Sequence, residues 1–92
     1  MAHAWTTEEE HWRNNYSSRP YASGKTWDSL AGGYRYGFDS AVRYPGRSWV
    51  DVESDLQRGW TSYEHRGHST WEQVKEAVRD AWDRVTGQHT RV

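Results

Sequence analysis

A hydroxyl residue followed by tryptophan occurs three times at a fixed interval: Thr26-Trp27, Ser48-Trp49 and Thr70-Trp71, 22 residues apart. With the tryptophan as slot 0, slots 3, 7, 10, 11 and 14 hold Leu30, Tyr34, Gly37, Phe38 and Ala41 in the first copy. The second copy has Val52, Leu56, Gly59, Trp60 and Tyr63, and the third has Val74, Val78, Ala81, Trp82 and Val85. Every one is apolar, aromatic or glycine. At about 100° per residue these slots fall on one stripe, roughly 100° wide, of a core-facing helix. A strand fails, because a period of two would put charges and rings on one face.

Thr26, Ser48 and Thr70 stand where helix N-caps belong, accepting hydrogen bonds from N–H groups that have no intrahelical partner. Thr70-x-x-Gln73 is a capping-box pattern and Ser48-x-x-Asp51 a near relative. "RYPGR" (43–47) and "EHRGH" (64–68) supply the stops. Each unit therefore reads as a helix of about 15 residues and a loop of about 6, of a length that joins antiparallel neighbours. Gly32, Gly33 and Gly37 weaken the first copy, each by about 1 kcal/mol relative to alanine, so that helix is expected either to break near Gly32-Gly33 or to exist only when packed.

The rhythm extends faintly upstream. Trp5, Trp12 and Tyr16 precede Trp27, Tyr34 and Phe38 by one interval, but slot 3 is then Glu8. Thr7-x-x-Glu10 predicts a capping box and a short helix from about 7 to 16. "NNYSSRPYASGK" reads as an extended connector, with Arg19 turned from helix by Pro20. The expected organisation is an all-α bundle. Residues 1–25 form a short helix and aromatic arm, 26–86 three amphipathic helices, and 87–92 a polar tail.

Only 34% of the 92 residues are hydrophobic, yet seven are tryptophan and six tyrosine. Rings burying about 150–250 Å² each give a small domain a core from few positions. The net charge is −1 and no segment is strongly basic, which argues against a general nucleic-acid binder. Without cysteine, disulfides and thiolate chemistry are excluded. The lack of a spanning apolar run and of an apolar leader makes a cytoplasmic location the expectation.

His65 and His68 beside Glu64 have a metal-ligand spacing but lack a third ligand at a recognisable distance. They read as loop histidines; His3, His11 and His89 form no pattern. The i,i+4 pairs Asp51/Asp55 and Glu72/Glu76 read as solvated faces. "AGGYRYG" has no phosphate-binding lysine and follows no strand. No cofactor, metal or small-molecule substrate is expected, and no enzyme. Slot 9 points away from the stripe and holds Arg58 and Asp80 in two copies but Tyr36 in the first. Slot 16 points the same way and holds Arg43; Tyr44 and Arg47 follow. Tyr36, Arg43, Tyr44 and Arg47 are thus the candidate interaction surface, joined by Arg19 and Tyr21 of the arm, because exposed Tyr and Arg characterise interface hot spots. The cluster could equally be mutual Arg–Tyr stacking or cover for the arm, which would then dock on its own domain. A protein partner or self-association is expected, with weak nucleic-acid binding through the Tyr/Arg cluster as the alternative.

"WRNNYSSRPY" (12–21), "YRYG" (34–37) and "ESDLQRGW" (53–60) resemble segments of an uncharacterised family of short bacterial proteins. That resemblance implies a bacterial protein loosely associated with stress response and transfers no catalytic residue. Tryptophans on successive helices also resemble Myb-type DNA-binding repeats, but the last unit here, with four acids and three bases over 71–85, is not basic.

Overall fold

The hydroxyl residues do cap helices. The computed structural model describes residues 4–87 and contains α1 (Trp5–Asn15), α2 (Trp27–Arg43), α3 (Trp49–Trp60) and α4 (Trp71–Thr86). The Thr26, Ser48 and Thr70 side chains accept from the N–H groups of Ser29, Asp51 and Gln73. At α4 the box is complete, the Gln73 side chain accepting from the Thr70 N–H at 2.8 Å. Gly87, at φ 76°, closes α4 in the left-handed conformation. The described residues are helical with turns and contain no strand.

Three expectations are corrected. α1 starts at Trp5, and the Thr7/Glu10 box does not form. Ala4 is the N-cap and makes no side-chain cap. Starting early puts the Trp5 ring 5.7 Å from Phe38, with the Arg35 guanidinium 5.7 Å from its centroid. The connector is not extended throughout: single 3-10 turns occupy Tyr16–Ser18 and Pro20–Ala22, and only Arg19 between them keeps the extended geometry that Pro20 imposes. Lastly, α2 runs unbroken through Gly32-Gly33, so of its two expectations the break is the one overturned.

The glycines of α2 explain that continuity. A Cβ on Gly33 would lie 2.8 Å from the Val74 Cβ, and one on Gly37 would lie 2.1 Å from the Val78 carbonyl oxygen and 2.9 Å from the Ala81 Cβ. Gly33 and Gly37 are one turn apart, as are Ala77 and Ala81 opposite, so two small-residue faces meet and α2 packs most extensively against α4. Tertiary packing thus offsets the weak local propensity of α2. Gly32 admits the loop after α3, whose His65 carbonyl oxygen would stand 2.3 Å from a Cβ there.

α2 is the central element, with rings on both sides. One cluster joins Tyr36, Trp49, Val52, Leu56, Trp60, Trp71, Val74, Val78 and Trp82. The other joins Trp12, Leu30, Tyr34, Ala77 and Ala81, with Trp5, Tyr16, Tyr21 and Trp27 packed against it. Trp49 and Trp71 are buried as slot 0 predicts, whereas Trp27 is half-buried at the rim, between Tyr16 and Tyr34 and under the Arg13 guanidinium. Glu8, the apparent break in the upstream rhythm, occupies its core slot: it is 1% exposed and accepts from Arg84 Nε at 2.8 Å.

Candidate interaction surface

The proposed surface divides into three parts. Tyr36 is not on it. Its ring is buried beside Trp60, Tyr63 and Trp71, and its hydroxyl donates to the Leu56 carbonyl at 2.8 Å. Slot 9 faces solvent on a helix packed along one side, but α2 is packed along several, so α3 and the following loop cover Tyr36. Gly59 supplies the space: a Cβ there would meet the Tyr36 hydroxyl at 2.6 Å.

Arg19 and Tyr21 are not an outward surface either, because the arm docks on its own domain. Arg19 Nε and Nη2 donate to the two Asp80 oxygens at 2.8 and 3.1 Å, and the Tyr21 hydroxyl donates to Asp80 Oδ2. The Tyr21 and Tyr34 hydroxyls are 2.8 Å apart. Sequence reasoning read Asp80 as a solvated residue; only its third-copy position, opposite an arm rich in Arg and Tyr, could have pointed to this contact.

What remains is the α2–α3 corner. Gly46, at φ 81°, turns the chain after Pro45, and the Ser48 cap starts α3. Tyr44 packs on the core edge while the guanidinium groups of Arg43 and Arg47 each lie 5.9 Å from its ring centroid, near the outer limit of cation–π attraction. Val42 and Val50 flank the loop at 59% and 82% exposure, and they are the large hydrophobics left exposed among the described residues.

Between α1, the arm and α4 an open cleft of about 480 Å³ is lined by His11, Trp12, Asn15, Arg19, Asp80 and Arg84, among others. Its charges are matched: Arg19 with Asp80, and Arg84 with Glu8. His65 sits 3.1 Å from Glu64 in an exposed loop, and no three potential metal ligands cluster among the described residues. Within the same residues no helix is long and apolar enough to cross a membrane.

Burial first, with the Tyr44 hydroxyl adding and Arg43 opposing, pushes the Tyr36 phenol up to about 12. Burial also pushes Tyr34 up to about 12, with Tyr21 opposing. Burial and the Asp80 and Asp39 carboxylates raise Tyr21 and Tyr63 respectively. The folded protein therefore holds these phenols neutral where an unfolded chain ionises near pH 10. Their stabilisation is complete below about pH 10 and is lost as pH rises through the folded values. A pH series of melting temperatures with tyrosinate absorbance is expected to show ionisation and unfolding together on the alkaline side; ionisation of all six tyrosines near pH 10 with the fold intact would contradict the packing. His11 has the opposite sign. Burial first, then Arg84, lowers its pKa, so its contribution is present above about pH 6.5 and fades as pH falls.

No protein family, curated protein or solved structure matches this chain.

Proposed function

We propose that this chain is a small non-enzymatic protein-interaction module whose contact surface is the α2–α3 corner. One observation carries the reading: Val42 and Val50, the exposed large hydrophobics of the described residues, flank the loop bearing Arg43, Tyr44 and Arg47. Arginine and tyrosine are enriched at interfaces, and exposed apolar surface beside them matches the more apolar centre of such a patch. A capped helix and a left-handed glycine turn hold the loop, so little ordering cost opposes binding. Burial of Tyr36 removes the outermost ring from the alternative, nucleic-acid stacking. The non-enzymatic part is supported by the carboxylates near the cleft: Glu8 and Asp80 are each tied to an arginine, which suits joining elements more than moving protons. A bacterial stress setting belongs to the proposal and rests on the sequence resemblance; a cytoplasmic location belongs to it too and rests on the lack of a long apolar run in the sequence.

Photo-crosslinking in the native host tests it. A photoreactive residue at position 42 or 50 is expected to give discrete protein adducts that one at exposed Gln57 does not, and that vanish on Arg43→Gln. An adduct of twice the chain's mass would identify the partner as a second copy. Identical patterns from positions 50 and 57 would refute the corner.

A further inference from the structure

The cations of the described residues show an imbalance at this corner. Arg13, Arg19, Arg35, Arg58, Lys75, Arg79 and Arg84 each lie within 4.0 Å of a carboxylate. Lys25 and Arg66 donate to backbone carbonyls. Arg43 alone has neither, its guanidinium lying 5.9 Å from the Tyr44 ring centroid; Arg47 has a further interaction beyond that ring, which leaves Arg43 as the available cation. From residue 42 to residue 50 the chain carries no acid. The nearest carboxylate before it, Asp39, is occupied by the Tyr63 hydroxyl at 2.8 Å and by Arg35 at 3.7 Å.

Resting on the function proposed above, we infer that the corner recognises an acidic segment of a partner protein: one or two carboxylates beside an apolar side chain. The Arg43 guanidinium has no carboxylate or carbonyl on its N–H fork, and that fork matches a carboxylate bidentately. Val42 and Val50 provide contacts for the apolar neighbour. A polyphosphate suits the site less well. A phosphate-tracking surface gathers several cations, where this one offers a lone unpaired arginine.

The test is selection from a displayed library of random dodecapeptides against the intact protein, followed by titration of the enriched peptides against variants. Enriched peptides are expected to combine aspartate or glutamate with a large apolar residue. Arg43→Gln is expected to weaken them about tenfold or more, as loss of a charge-assisted hydrogen bond implies. Arg43→Lys should recover only part of this, because it keeps the charge and loses the fork. Melting temperature should be unchanged, since Arg43 is exposed. Peptides without an acidic excess, peptides that bind Arg43→Gln equally, or a library yielding no binder would each overturn acidic recognition. So would tighter, steeply salt-dependent binding of a single- or double-stranded oligonucleotide that Arg43→Gln abolishes. Adducts from positions 42 and 50 alongside a failed library would leave the interaction module standing and remove only its acidic partner.

Discussion

Gly37→Ala is expected to destabilise the bundle by at least about 2 kcal/mol, against a helix-propensity change that alone would stabilise it by about 1 kcal/mol. The added methyl has nowhere to go. It would stand 2.1 Å from the Val78 carbonyl oxygen, part of the α4 backbone, and 2.9 Å from the Ala81 Cβ. Relief requires α2 and α4 to separate, which opens both aromatic clusters. In a domain of this size each kcal/mol lowers the melting temperature by about 4–8 °C. Thermal and urea unfolding of Gly37→Ala and Gly59→Ala side by side provide the measurement. At Gly59 the obstacle is the Tyr36 hydroxyl, so a ring and not a backbone has to yield, and the loss should be smaller. A Gly37→Ala variant that melts at or above wild type would disprove the close approach.

Trp82→Ala is expected to cost about 3–5 kcal/mol, comparable with the whole stability of a small domain. Trp82 is 0% exposed and lies within the cluster that joins α2, α3 and α4, its ring 6.1 Å from that of Trp49. Trp27→Ala should cost clearly less, because that ring lies half-buried at the rim. Circular dichroism and urea titration would show Trp82→Ala largely unfolded or with a sharply lowered midpoint. Equal losses at the two positions would mean that the burial difference between the clusters is not real.

The repeat made the helices legible because spacing and caps are local: one hydroxyl and one stripe define each start and each buried face. Glu8 fell on slot 3, but a carboxylate there reads as a break in the rhythm, because its partner Arg84 lies 76 residues away. The side of α2 that carries Tyr36 was misread because the third dimension enters there. A helix's second and third contact faces depend on where other helices lie, and the pattern of a single helix does not contain that. The same holds for Arg19 and Tyr21. Their partner Asp80 is about sixty positions away and looks, within its own helix, like any solvated acid. Slot 16 and the Pro-Gly loop read Arg43 and Arg47 as outward, and both are exposed, whereas Tyr44 packs on the core edge. Val42 and Val50 were overlooked because each is an ordinary valine until the neighbouring slots are seen to be covered.

The pairing of α2 with α4 also sets an order of events during synthesis. When α2 leaves the ribosome its glycine face has no partner, since Val74, Ala77, Val78 and Ala81 have yet to be made. α1 and the arm cannot settle either, because Glu8 waits for Arg84 and Arg19 for Asp80, separated by 76 and 61 residues. Helices that need tertiary packing to persist stay transient until that packing arrives. The nascent chain therefore remains open to chaperones and proteases until its fourth helix emerges, and a ribosome that stalls before that helix leaves a product with no stable core.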